Sequence, residues 1–214
     1  MHDFLINIVL NITMKNISGF TLIELMATIV VMGFLIAVGL PGFQDFMKAG
    51  QITTVNNEFV SAVQVARSGA IQLAEPACVC SSSNAESPTP SCSGSDSWED
   101  GWISFVDVNT ASATDCVYDA SDDDVLLKAW NGVNTTVGMT VRSNSPTINA
   151  SDFIRFNSRG IPASAQGVSM QGMFVICDDR GLTVGAEVLG RGVILSASGS
   201  LRTTKDAAII GACL

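Results

Sequence analysis

Gly19-Phe20-Thr21-Leu22-Ile23-Glu24-Leu25 puts a single carboxylate at the head of an apolar run, and that run decides the fold. The 20 residues Leu25–Gln44 carry no ionisable side chain. As a helix they reach about 30 Å, the thickness of a bilayer core. A carboxylate within such a span costs on the order of 2.5–3.5 kcal/mol at mid-membrane and less near an end. Glu24 therefore calls for a partner or a process that uses it.

Working outward, residues 20 to about 74 read as one long helix. Pro41 removes a backbone donor and crowds the preceding turn, so the helix is expected to bend or break near Gly39 to Gly42. Beyond it Ile52, Val55, Phe59, Val63, Ala66, Ala70 and Leu73 recur at spacings of three and four, an apolar stripe on one face. Such a stripe wants a sheet to cover it. Glu75-Pro76 ends the helix. Residues 81–97, SSSNAESPTPSCSGSDS, form a long loop that Cys78, Cys80 and Cys92 can tether.

The periodicity then turns to β. Candidate strands are Trp102–Val106, Val125–Trp130, Thr136–Arg142, Phe153–Phe156, Met173–Cys177, Glu187–Leu189, Val193–Ala197 and Leu201–Thr203. Turn signals such as Asn131-Gly132, Ser158-Arg159-Gly160, Asp179-Arg180-Gly181 and Ser198-Gly199-Ser200 separate them. The expected class is α+β: a long N-terminal membrane-spanning helix packed on a C-terminal antiparallel β domain.

Composition narrows the function. The net charge is -9, a poor basis for general binding of nucleic acid or anionic lipid. The single histidine, His2, precedes the apolar run, so the rest of the chain offers no imidazole for acid–base work or metal ligation. No enzymatic activity, metal or cofactor is expected. The six cysteines, Cys78, Cys80, Cys92, Cys116, Cys177 and Cys213, all follow the apolar helix, which suits an oxidising compartment. Cys78-Val79-Cys80 lacks redox spacing, so these are structural disulfides, with fifteen possible pairings. Cys177–Cys213 is expected to fasten the C-terminal tail to a core strand, and Cys80–Cys92 to close the Ser-rich loop. Asp115, Asp119 and Asp122-Asp123-Asp124 form an acidic cluster without the ligand spacing of a calcium loop, and Asp178-Asp179 reads as a turn. Lys15 ahead of the helix places the N-terminus in the cytoplasm and the C-terminal domain in the periplasm.

The string G-F-T-L-I-E-L resembles the start of type IV pilin-like proteins. The resemblance implies cleavage by prepilin peptidase between Gly19 and Phe20, N-methylation of Phe20, and Glu24 as the fifth mature residue. Pro41 falls where the family often carries a helix-kinking proline. Met14-Lys15-Asn16-Ile17-Ser18-Gly19 resembles a complete short prepilin leader, so translation is expected to start at Met14. A secretory signal peptide cut after Ala37-Val38-Gly39 is the rival reading. Glu24 inside its apolar region, and helical periodicity past Gly39, weigh against it.

The second half sharpens the resemblance. Val65-Ala66-Arg67-Ser68-Gly69-Ala70-Ile71 followed by a cysteine, Gly101-Trp102-Ile103-Ser104-Phe105-Val106-Asp107, Ile154-Arg155-Phe156-Asn157-Ser158-Arg159-Gly160 and Phe174-Val175-Ile176-Cys177 look like the GspH/FimT family. These are minor pseudopilins of type II secretion and minor pilins of type IV pili, with a β-sandwich-like domain on the helix. The resemblance implies a leader at 1–19, a transmembrane part at 20–44, an amphipathic part at 45–75 and a periplasmic β domain at 76–214. It implies a structural subunit of the inner membrane, later of a pilus or pseudopilus. Its partners would be prepilin peptidase and other pilins, met through the N-terminal helix and an ion pair between Glu24 and a neighbour's Phe20 amine. The alternative is a DNA-binding minor pilin for natural transformation. Related proteins use a Gly-Arg-x-Arg stretch, whereas Gly199-Ser200-Leu201-Arg202 lacks the first arginine. Arg191, Arg202 and Lys205 are the only basic residues near the C-terminus that could contact phosphates, against an acidic chain, so nucleic acid is not expected as a partner.

Overall fold

The structure, a computed structural model, describes residues 19–108, 116–133, 138–145, 148, 153–164 and 166–213, without the side chains of Pro41 and Asp122. Asp115, Lys15 and the rest of the predicted leader before Gly19 lie outside the described residues. Helix α1 runs Leu22–Leu73, and its assignment passes through Gly39 to Gly42 without interruption. Ala74, in the left-handed region at φ 57°, stops it ahead of Glu75-Pro76. The chain divides into two compact units after Asp45. In the first, Phe20, Leu22, Ile23 and Leu25 onward stand exposed along the helix.

The second unit, Phe46–Leu214, holds one core and two satellites. Its described strands are β1 (Ala77–Ser81), β2 (Gly101–Val106), β3 (Val125–Asn131), β4 (Thr140–Ser143), β5 (Phe153–Phe156), β6 (Gly172–Cys177), β7 (Thr183–Val184), β8 (Glu187–Val188), β9 (Arg191–Leu195) and β10 (Leu201–Thr204). They form sheets of order β3-β2-β1-β5 and β10-β9-β6-β4, plus the hairpin β7-β8. Every described strand pairing is antiparallel. A short helix, α2 (Ala207–Ile210), is capped by Asp206, whose carboxylate accepts from the Ala208 N–H at 2.9 Å.

The helix stripe fills the space between the sheets. Ile52, Val55, Phe59, Ala62, Val63, Ala66 and Ala70 are buried against Val79 and Trp102 of the first sheet and Phe174 and Val193 of the second. Leu73, expected on this stripe, is 50% exposed, because the helix ends beside it. Phe59 stands at the centre. Its ring lies 5.6 Å from Trp102, 4.5 Å from Phe174 and 5.7 Å from Trp98. The outer faces of the sheets are buried too. Cys78, Cys80, Ile103 and Phe105 form one outer cluster with Ala85 and Cys116. Met173, Val175 and Cys177 form the other, with Ile210. Burial on both faces explains why these strands lack polar alternation.

Strand β1 was not among the strands expected from sequence; of the expected strand Thr136–Arg142, residues 136 and 137 lie outside the described residues, and the strand described there is Thr140–Ser143. The Ser-rich stretch is a loop, but a tied one. Ser81 Oγ lies 2.7 Å from Ser93 Oγ and donates to the Ser95 carbonyl at 2.6 Å. Asn84 Oδ1 accepts from the Ser91 N–H at 2.9 Å. Arg67 joins the two sheets from the helix. Its Nε donates to the Gly160 carbonyl at 3.0 Å and its Nη2 to the Ser198 carbonyl at 3.3 Å. Gly160 follows β5 and Gly199 sits in the β9–β10 turn, with φ of 71° and 79°. A Cβ on Gly199 would lie 2.7 Å from the Gly160 carbonyl, so only glycine permits that approach.

Candidate assembly site

The N-terminal unit gathers the features that sequence reading singled out. Gly19 and Phe20 precede the helix and are exposed, Phe20 by 69%. Thr21 opens the helix: its Oγ1 accepts from the Glu24 N–H at 3.3 Å, and its carbonyl from the Leu25 N–H at 3.1 Å. This satisfies a donor the helix itself leaves free. Glu24 therefore sits in the first turn, where the helix dipole favours a negative charge. Beyond it Met26, Ile29, Val30, Phe34 and Leu35 are more than half exposed. Among the described residues one helix is long and apolar enough to cross a membrane, with a mean hydropathy of 2.4 over its most apolar stretch. The arrangement presents apolar surface on all sides, headed by one carboxylate.

The disulfides are Cys78–Cys116, Cys80–Cys92 and Cys177–Cys213, with Cα separations of 5.8, 5.5 and 6.0 Å. The last two are the pairings expected from sequence. The first two lie over the outer face of the first sheet, and the third ties the C-terminal tail over the outer face of the second. Each satellite cluster is thus closed by a crosslinked segment.

The charged candidates part company. Arg191 is half-buried, donates Nη1 to the carbonyls of Leu189 at 2.6 Å and Gly190 at 3.0 Å, and has its pKa lowered by burial, with Glu187 opposing. Arg202 and Lys205 are exposed on and after β10. Asp119 accepts from Ser121, which lowers its pKa, and Asp124 accepts from the Val108 and Asp119 N–H groups. These contacts shape a loop. Among the described residues no group of three or more metal-binding side chains converges.

Three charged contacts escaped sequence reading. Lys48 Nζ reaches both Asp179 oxygens at 2.7 and 2.8 Å, and buried Asp178 holds Arg180 at 2.6 Å. Asp178-Asp179 is a turn that also anchors two cations. Arg142 pairs with buried Glu99. The Lys48–Asp179 and Arg142–Glu99 partners are distant in sequence, and no local signal in the chain could have matched them.

Asp107, at the end of β2, is 7% exposed, and its carboxyl is pushed up to about 6, chiefly by burial and then by Asp124, with Arg155 opposing. The folded state then holds a proton that the unfolded chain releases, so Asp107 lowers stability as pH rises from the ordinary aspartate range through 6. Asp107→Asn is expected to melt higher than the parent at pH 7.5, with the difference shrinking toward pH 4. A constant difference across that range would contradict this account.

Comparison with known proteins places the chain. Residues 56–199 match the family model for type II transport protein GspH, and residues 14–40 match the prokaryotic N-terminal methylation motif. The chain belongs to the GspH family. Its GspH region covers about the last third of α1 and most of the sheets. The GspH-family chain is also 43% identical over 58 residues to a fimbrial protein of Pseudomonas aeruginosa, spanning 27% of this chain and 37% of that one. Over 44 residues it is 46% identical to a type IV major alpha-pilin of Moraxella bovis, covering 21% of this chain and 28% of that one. The matches thus span about a third of those relatives. The crystal structure of the type IV minor pilin FimU of Pseudomonas aeruginosa shares the fold, with a TM-score of 0.51 and 16% identity over 74% of this chain and 92% of that one.

Proposed function

We propose that this protein is a structural subunit of a type II secretion pseudopilus or type IV pilus, without catalytic activity of its own. Prepilin peptidase would cut between Gly19 and Phe20, and the mature chain would sit in the inner membrane with its β domain in the periplasm. The observation that carries the reading is the exposed apolar helix headed by Glu24. Packed among like helices, that carboxylate would meet the Phe20 amine of a neighbouring subunit. Removing one partner of a buried pair costs about 3–5 kcal/mol, so the pair would set the register of assembly.

Glu24→Ala tests it. Insertion and processing should be retained, while the amount recovered in sheared filaments falls at least tenfold. Wild-type recovery would remove the intersubunit role. N-terminal mass spectrometry should show a mature chain that begins at Phe20, whereas a start at Leu40 would mean a secreted protein. The alternative, DNA capture by a minor pilin, rests on Arg202 and Lys205 alone, since the Arg191 guanidinium is turned onto backbone carbonyls.

A further inference from the structure

Sheet edges are templates for another strand, and folded proteins usually cover or shorten them. Most edges here follow that rule. β5 is met by its own returning chain, where the Ala163 N–H donates to the Arg155 carbonyl at 3.0 Å. β4 has Glu99 against the Val141 N–H at 3.5 Å. β10 has four residues. β3 has seven, stands at the end of its sheet, and pairs on one side only, with β2. Among the described residues no hydrogen bond reaches its outer edge.

A cleft of about 490 Å³ runs beside that edge. Asn57, Glu58 and Ser61 of α1 form one side, and Lys128 to Gly132 the other. A second cleft of about 420 Å³ continues it past the shared Asn131 and Gly132, toward the Ser-rich loop, with Glu86 and Asp100 in its walls. The charge is one-sided. Three carboxylates, Glu58, Glu86 and Asp100, line the two clefts against one lining cation, Lys128, whose ammonium lies over the Trp130 ring, 4.7 Å from its centroid. Lys128 therefore lies along the cleft wall instead of guarding the edge.

We propose that the β3 edge is a strand-addition site that takes an extended basic segment of a partner protein. The partner's backbone would pair with β3, and its lysine or arginine side chains would reach Glu58, Glu86 and Asp100. Main-chain pairing supplies affinity in this mode, and side-chain pockets supply selectivity. The site is lined by the part of α1 that belongs to the second unit and does not depend on which machine the chain serves.

The test is selection of a random dodecapeptide phage library on the full-length protein in detergent micelles, with empty micelles as counter-selection. Enriched peptides should be rich in Lys and Arg. Their synthetic forms should bind the Glu58→Lys/Asp100→Lys double variant at least tenfold more weakly. N-methylation of alternate peptide amides should cause a similar loss on the unaltered protein, an arm that needs no variant to fold. Failure to enrich any peptide, or binding indifferent to both N-methylation and charge reversal, would overturn the proposal. Self-association of the parent that the double variant abolishes would also overturn it, by assigning the edge to a second copy.

Discussion

Phe59→Ala is expected to destabilise the β domain by about 3–5 kcal/mol, the usual cost of emptying a large aromatic site in a closed core. The ring is fully buried and touches Trp98, Trp102 and Phe174, so it holds both sheets to the helix. Neighbouring rings cannot collapse into the space without breaking their own edge-on contacts. For a domain of this size each kcal/mol moves the midpoint by roughly 2–4 °C, so thermal unfolding should begin about 6–20 °C lower. Leu73→Ala is the matched control. It belongs to the same sequence stripe but is 50% exposed, and should change stability by no more than about 0.5 kcal/mol. Equal losses for the two would mean that the core is not centred on Phe59.

Removing single disulfides should give a graded result. Loop-closure entropy predicts about 4 kcal/mol for Cys78–Cys116 and Cys177–Cys213, whose sequence separations are 38 and 36, and about 3 kcal/mol for Cys80–Cys92, with separation 12. The paired serine variants, compared by denaturant unfolding, should fall in that order. The first and third also cover the outer clusters, so their loss should expose Phe105 or Met173 as well. A Cys80/Cys92 variant that proved the least stable would place the crosslink energy in the Ser-rich loop instead.

Much of this architecture was legible in the chain because it rests on local period. The spacing of Ile52 through Ala70 fixed the buried helix face, and alternation between turn signals located most strands of the second half. Strand β1 was hidden because Ala77-Cys78-Val79-Cys80-Ser81 is buried on both faces and shows no polar alternation. Its cysteines read as tethers, which they are, but they also sit in the middle of a sheet. The ion pairs of Lys48 and Arg142 and the hydrogen bonds of Arg67 join residues distant in sequence, and no periodicity encodes such matches. The candidate assembly site was the most readable part. Its signal is a charge against an uncharged run, visible without knowing what packs where.

The contact between Arg67 and the turns at Gly160 and Ser198 has a mechanical consequence. One side chain on the helix grips both sheets, and the glycine turns there are in direct contact. Tension applied along α1 is therefore shared between the sheets in parallel, not passed from one to the next in series. A domain loaded in this way should yield as a unit. In a single-molecule pulling trace under reducing conditions it should give one rupture, whereas two well-separated ruptures would mean that each sheet bears force alone.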